Sequence, residues 1–277
     1  MYKRRANDSF NTTVMPFINA CGGFKVFRNH EVGAIAEFAD ALWQLNLIDK
    51  FIALYPFVGR TASSHSFNLI NPNKYKISWL GQQTHNSNGV TAITGYGNTD
   101  IPLILFASFE NVHISVYNRT PFSSIATDGR FIGVNTKNFI QELSGVGAFE
   151  LNFSKNDGIV GYVYNIINNL GGFGYTAQQM INGNIKGTGL MVGVNTTKCY
   201  LNGQAFGNWF PLLPTDIDLR NNLKLILFGN NYLNNVTSTL NANIALASVG
   251  YAFSENDIYN YNIAVDNFQK AMFRSVM

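Results

Sequence analysis

Charge is what this chain has least of. Asp, Glu, Lys and Arg together make up 13% of its 277 residues, about half the ~25% share of an ordinary globular domain. The 19 basic and 16 acidic residues nearly balance, for a formal charge of +3 and a pI near 8.8. That excludes the dense basic face on which nucleic-acid binding depends, because the short tail Lys3-Arg4-Arg5 cannot form one. Cysteine is scarce too. Cys21 and Cys199 stand far apart with no paired spacing, which argues for free buried thiols over a bridge or a metal site. No apolar run approaches the ~20 residues of a membrane-spanning helix, so no membrane partner is expected. Nor does an apolar stretch follow Lys3-Arg4-Arg5, so the start does not read as a secretory signal. The Asn-x-Ser/Thr triplets at Asn11, Asn118, Asn195 and Asn235 therefore carry no meaning by themselves.

Hydrophobic residues are abundant instead, at 46%, and aromatics reach 14% with 22 Phe and 13 Tyr. Such a chain folds, since disorder requires low hydrophobicity and high net charge. Its length suits one large core, as in many all-β sandwiches. So many aromatics with so little charge predict a surface partly covered by neighbours, and hence a homo-oligomer or a larger assembly.

The apolar spacing divides the chain. Over 31–46, Val32, Ile35, Phe38, Ala39, Leu42 and Leu45 form one stripe with Glu37, Asp40 and Gln44 off it, which predicts a helix that includes Trp43 in its apolar part. The segment 16–23, ended by Gly22-Gly23, predicts a shorter helix before it. Residues 1–50 thus read as a helical N-terminal segment. From Phe51 the period changes to short β-favouring runs at 103–109, 112–117, 131–134, 159–167, 189–194, 223–228 and 244–253, punctuated by Gly, Asn and Asp. That spacing predicts an antiparallel sandwich rather than βαβ units. In 112–117, Val112, Ile114 and Val116 share one face; His113, Ser115 and Tyr117 share the other. Asn202-Gly203 between two apolar arms is a type I′ hairpin signal. At the end, Ser254-Glu255-Asn256-Asp257 has the form of a capping box. It opens a helix, 255–274, striped by Ile258, Tyr261, Val265, Phe268 and Met272, with Arg274 at the negative end of its dipole. This helix is expected to lie on the outer face of a sandwich spanning 51–277, or against the N-terminal helices.

One stretch carries a further signal. It opens with Tyr55-Pro56-Phe57-Val58-Gly59 and continues through Thr61-Ala62-Ser63, His65, Asn68-Leu69, Pro72, Thr84-His85, Ser87, Gly89 and Gly95-Tyr96. Ala20-Cys21-Gly22 and Leu42-Trp43 precede it; Ser115-Val116-Tyr117-Asn118-Arg119-Thr120, the Asn-Gly hairpin, Ala247 to Gly250 and the terminal helix follow it. In this order the residues resemble the laminin-G-like (concanavalin A-like) jelly-roll domains of tailed-bacteriophage structural proteins, as in crAss-like phages. The likeness runs from about Phe17 to the end and is loosest over 122–188, where no landmark occurs. The resemblance implies an all-β antiparallel jelly-roll sandwich with a helical N-terminal preface and a C-terminal helix. It also implies a virion structural protein, assembled in the host bacterial cytoplasm.

Catalytic motifs are missing. Enzymatic relatives of that fold use Glu-x-Asp-x-x-Glu, whereas Glu255-Asn256-Asp257 is followed by Asn260 and opens a helix, where acids serve the cap and dipole. Leu246-Ala247-Ser248-Val249-Gly250 lacks the first glycine of a nucleophile elbow, and Gly172-Phe173-Gly174 lacks the third glycine of a dinucleotide fingerprint. His30, His65, His85 and His113 show no metal-ligand spacing, and His65 and His85 read as hydrogen-bonded structural histidines. Asp128-Gly129 and Asn156-Asp157-Gly158 could supply calcium oxygens but read first as turns. No catalytic residue, metal or cofactor is assigned.

The expectation is therefore a non-enzymatic virion component (capsid surface, head fibre or tail) acting on other virion proteins, with Lys3, Arg4, Arg5 and Phe10 as subunit contacts. The alternative is a carbohydrate-binding module that recognises host surface glycans. Of the tryptophans, Trp43 and Trp79 are expected in the core; Trp209 with Phe210, in a loop after the hairpin, is the candidate glycan or partner contact.

Overall fold

Among the described residues three α-helices form, two of them opened by a capping box. The computed structural model describes residues 9–106, 111–125, 129–135, 148–156, 159–167, 175–176, 187–194, 198–206, 223–232, 235–237 and 239–276. Lys3, Arg4 and Arg5, Asp128, Asp157, Gly158, and Trp209 with Phe210 lie outside these residues. A π-helical turn, Phe10–Val14, leads into α1 (Met15–Ala20), whose Pro16 sits in the first turn, where a missing N–H costs nothing. Helix α2 (Asn29–Gln44) starts where Glu31 turns back to accept the Arg28 N–H at 2.7 Å. Helix α3 (Glu255–Ala271) has the expected capping box: Asp257 N–H donates to Ser254 Oγ at 3.1 Å and Ser254 N–H to Asp257 Oδ2 at 2.8 Å.

The strands form two antiparallel sheets. Sheet A contains β1 (Phe51–Tyr55), β3 (Gln83–Asn86), β4 (Gly89–Ala92), β6 (His113–Asn118), β11 (Gly189–Val194), β12 (Lys198–Leu201), β13 (Gln204–Phe206) and β17 (Asn243–Gly250). Its order is β13-β12-β11-β6-β17-β4-β3, with β1 also on β17. Sheet B contains β2 (Ser78–Leu80), β5 (Tyr96–Pro102), β7 (Gly129–Asn135), β8 (Ala148–Asn156), β9 (Ile159–Ile167), β10 (Tyr175–Thr176) and β14 (Lys224–Leu227). Its order is β10-β9-β8-β7-β14-β5-β2, and the short hairpin β15 (Asn230–Tyr232) and β16 (Asn235–Thr237) joins β7 through a parallel pairing. The β12–β13 turn holds Asn202 at φ 52° and Gly203 at φ 79°, the positive pair that a type I′ turn demands. Of the strand expected at 103–109, the described part, 103–106, is not one. Strand β5 already ends at Pro102, which has no N–H to continue a ladder, and Leu103–Phe106 coils into a 3-10 turn.

Two cores result. Between the sheets lie Ile114, Val116, Ala247 and Val249 of sheet A with Ile101, Phe131, Val134, Leu151 and Leu225 of sheet B. The second core lies on the other face of sheet A, where Tyr117, Leu190, Val192, Tyr200 and Leu246 meet Phe17, Ile35, Phe38, Leu42, Tyr261, Val265 and Phe268 of the helices. Both expected placements of the last helix are therefore realised at once, since α3 lies on the sheet and stacks Phe268 on Phe38 of α2 at 4.6 Å. Phe10 is half-buried against this same core. Trp43 departs from its core expectation. It is 39% exposed and donates its indole N–H to Thr13 Oγ1 at 3.1 Å, because it falls off the Ile35–Phe38–Leu42 stripe.

Arg274 locks the layers together. Its guanidinium is 1% exposed and is met by neutral acceptors. Nε donates to Gln269 Oε1 (2.6 Å), Nη1 to the Phe57 carbonyl (2.8 Å), and Nη2 to the carbonyls of Pro56 (2.7 Å) and Ala245 (2.9 Å). A longer bond reaches the Ser87 carbonyl at 3.5 Å. It is a buried clamp and not the exposed dipole partner its position at the helix end suggested. Burial, with Arg119 nearby, pushes its pKa down to about 9, against the opposing pull of Glu31 and Tyr117. Arg274→Ala strips buried carbonyls of their donor, and each such loss costs about 1–3 kcal/mol. Urea denaturation is expected to show a loss of about 3 kcal/mol or more, with Arg274→Lys recovering little because an ammonium cannot span the same fork. An unchanged midpoint for both variants would remove the clamp from the account.

Candidate functional site

The residues of the Tyr55–Gly97 motif converge on one end of the sandwich. Strand β1 runs into a sharp turn in which Phe57, Gly59 and Arg60 hold φ of 44°, 83° and 67°. A Cβ on Gly59 would sit 2.8 Å from Ser64 Oγ, so glycine is required there on two counts. Asn68, fully buried, accepts from the N–H groups of Leu54 and Ile70 (both 3.0 Å) and donates to the Ile52 carbonyl at 3.2 Å. The side chain thereby stands in for a strand that β1 lacks on that side. His65, in a 3-10 turn at Ser64–Ser66, meets His85 of β3, and Phe57, Trp79 and Phe228 pack around them. Trp79 is half-buried against the inter-sheet core, close to expectation. The motif is thus a closure: it plugs the gap between edge strands β2 of sheet B and β3 of sheet A.

A second cluster has the form of a catalytic dyad. On β6 and β17, register brings Ser115 opposite Ser248 and His113 opposite Gly250. His113 Nδ1 lies 2.6 Å from the Tyr251 carbonyl and must be the protonated nitrogen, since a carbonyl only accepts. Its Nε2 then accepts from Ser248 Oγ at 3.1 Å, and Ser248 is further bonded to Ser115 Oγ (2.7 Å) and Tyr261 Oη (3.3 Å). A serine hydroxyl on a neutral imidazole whose other N–H is held is the arrangement that activates a nucleophile. Here it lies beneath α3: His113 and Ser115 are fully buried, as is Tyr261, and Ser248 is 1% exposed. Burial, helped by Lys50 and opposed by the Tyr251 carbonyl, pushes the His113 pKa down to about 3; burial also pushes Tyr261 up to about 12. The network reads as a satisfied polar layer between sheet and helix. Sequence inspection missed it, although the unusual run of polar residues on one face of β6 was its visible trace.

Solvent-facing polar groups gather elsewhere. The central strands β6 and β11 are buried along their whole length, and β17 is buried save at its first residue. Strand β5 of sheet B alternates instead, turning Tyr96, Asn98 and Asp100 outward while Gly97, Thr99 and Ile101 face the core. Asp100 is paired with Lys224 of β14 at 3.2 Å. Asn98 Oδ1 accepts the Asp100 N–H at 3.0 Å, and Asn231 Nδ2 donates to the Lys224 carbonyl at 2.9 Å. Asn231 Oδ1 is buried and faces no donor among the described residues. Along the sheet the pairing runs in one rung from Ser78 through Asn98, Ile226, Gly133 and Glu150 to Asn165. Amides, a carboxylate, an ammonium and a nearby tyrosine are the groups that bind hydroxylated ligands. Among the described residues no group of three or more His, Cys, Asp or Glu could hold a metal ion. Cys21 and Cys199 are buried and free, each with its thiol pKa pushed by burial to about 12.

No family model and no curated protein matches the chain. Solved structures similar to it include the Ruminococcus gnavus IT-sialidase CBM40, at 16% identity over 56% of this chain and 84% of that one, with a TM-score of 0.40. Another is the same CBM40 bound to alpha2,6 sialyllactose, at 16% identity over 58% and 91%, TM-score 0.41. A third is Trypanosoma rangeli sialidase in complex with sialic acid, at 10% identity over 78% and 33%, TM-score 0.47.

The buried dyad generates a prediction of its own. A fluorophosphonate probe is expected to leave the intact mass of the folded protein unchanged. Ser248→Ala is expected to cost about 1–2 kcal/mol of stability, as the loss of a buried hydrogen bond does. Stoichiometric labelling at Ser248 would instead make it a working nucleophile.

Proposed function

We propose that this chain is a non-enzymatic recognition module whose ligand is a carbohydrate of a host surface, received on the outer face of sheet B around Tyr96, Asn98, Asp100 and Lys224. The observation that carries this reading is the asymmetry of the two sheets. The central strands of sheet A are covered on both faces, by sheet B and by the helices, whereas β5 of sheet B turns a polar row outward beside an ion pair. Planar amides and a carboxylate on a rigid strand can bond sugar hydroxyls without losing much side-chain freedom, and a half-exposed tyrosine offers a ring face.

A second reading, a virion structural component held by other virion proteins or by copies of itself, draws on the phage-domain resemblance and on a different surface. The helical layer exposes Phe24 (50%), Tyr259 (60%), Ile263 (42%) and Phe273 (81%), together with Trp43. Apolar groups this open are the kind an assembly covers. The two readings are compatible, because they use opposite faces of the molecule.

A glycan array is expected to give saturable binding that Asn98→Ala and Asp100→Ala each weaken by about tenfold, the worth of one hydrogen bond to a charged or amide group. Unchanged binding in both variants would move the ligand off this face. Antibody labelling of intact phage particles tests the second reading: label on head or tail supports it, and its absence from particles counts against it.

A further inference from the structure

The two histidines at the sandwich edge share a single proton. His65 Nδ1 and His85 Nδ1 lie 3.1 Å apart, a hydrogen-bond distance that needs one ring to donate and the other to offer a lone pair. With both rings neutral, as their burial favours, they hold opposite tautomers: the donor ring keeps its lone pair on Nε2, and the acceptor ring carries its N–H on Nε2. Neither Nε2 has a hydrogen-bond partner among the described residues, and both are buried. His65 is 1% exposed. We propose that this pair is a pH-sensitive latch that holds edge strands β2 and β3 together when neutral and frees β3 from the edge of sheet A when both rings are protonated.

The argument is one of geometry and charge. Trp79 of β2 stands edge-on to His85 at 4.9 Å and donates its indole N–H to the Ala62 carbonyl at 3.1 Å, so the two edge strands meet through these rings. A first proton can enter only on an Nε2 that faces no acceptor. A second removes the Nδ1 lone pair, destroys the shared bond and sets two cations 3.1 Å apart. From the C-terminal segment Arg274 adds a third positive charge against His65, and no ion pair joins a carboxylate to either ring among the described residues. Burial lowers the pKa of both rings, and for His65 the charges of His85 and Arg274 lower it further. The sign follows. Groups with depressed folded pKa values stabilise the closed edge fully above the unfolded histidine value of about 6.5, and this contribution is lost as pH falls below it. Within the hairpin, β4 is held by its pairing with β17, by buried Val90 and Ala92, and by Asn243 Nδ2 donating to Thr91 Oγ1 at 2.8 Å. Strand β3 is the outer one: Thr84 is exposed, and the bond from Arg274 to the Ser87 carbonyl is the long one, at 3.5 Å.

Native-state hydrogen exchange across pH 7.5 to 4.5, corrected for intrinsic rates, tests the latch. The opening of the amides that pair β3 with β4 is expected to rise by more than tenfold per pH unit between about pH 6 and 5, the signature of two coupled protons. Amides of β6, which carries the separate buried His113, stay protected over the same range. In His85→Gln, which keeps a neutral partner but cannot titrate, the slope is expected to fall to tenfold per unit or less. Should that variant fail to fold, the imidazole resonances of the native protein serve instead: both rings titrate together, below 6.5 and in step with β3 opening. Exchange of β3 that ignores pH, an equal slope in His85→Gln, or two independent titrations near 6.5 each overturn the proposal.

Discussion

A buried guanidinium that meets no carboxylate in an ion pair among the described residues sets the terms of this fold. Arg274 comes from the last residues of the chain, yet it bonds the carbonyls of Pro56 and Phe57, of Ala245, and at longer range of Ser87. Pro56 and Phe57 follow the end of β1, Ser87 lies in the turn between β3 and β4, and Ala245 sits at the register shift of β17, so the arginine meets carbonyls where regular pairing is interrupted. The geometry is demanding. Five donors in a rigid plane must meet acceptors from separate segments at once, which is possible only when the β1 turn, β17 and α3 are all in their final places. The clamp thereby couples the helical layer to the plug between the sheets, and Arg119 extends the tie by donating to the Arg274 carbonyl at 3.0 Å.

The helical layer decides what each face of the sandwich can do. Lying across sheet A, it turns what would be a solvated face into an interior, which is why β6 and β11 are buried at every position. Polar residues caught there must find partners within the layer, and the His113–Ser248–Ser115–Tyr261 network is how they do. The contact between Ser248 and His113 thus also satisfies buried groups of this layer. The same covering leaves the outer row of β5 in sheet B as the polar strand surface from which recognition is proposed, and it puts the exposed aromatics of the helices on the opposite side.

Much of the fold was legible because it rests on local rules. The capping box at Ser254 and Asp257, the Asn202-Gly203 turn, the stripe from Ile258 to Met272, and strands 159–167 and 189–194 are all found where periodicity and turn chemistry predicted. The failures are equally instructive. Trp43 sits one position off the α2 stripe, and a propensity for burial could not outweigh that offset. The apolar run after Pro102 looked like a strand, but the proline ends β5 and the chain coils instead. The candidate site was less legible than the fold. Asn98, Asp100 and Lys224 come from strands far apart in sequence and carry no motif between them, while the contacts named beforehand at Lys3, Arg4, Arg5, Trp209 and Phe210 lie outside the described residues.

By itself, then, the sequence determined where helices begin, where hairpins turn and which residues alternate, because each of these depends on neighbours a few positions away. Only the tertiary structure decided that sheet A is covered and β5 of sheet B faces outward, that Arg274 is a clamp rather than a helix-end charge, and that His65 and His85 share a proton. Those outcomes depend on which distant surfaces come to lie on one another. Burial, and with it the chemistry of every polar side chain, is a property of that contact and not of the residue.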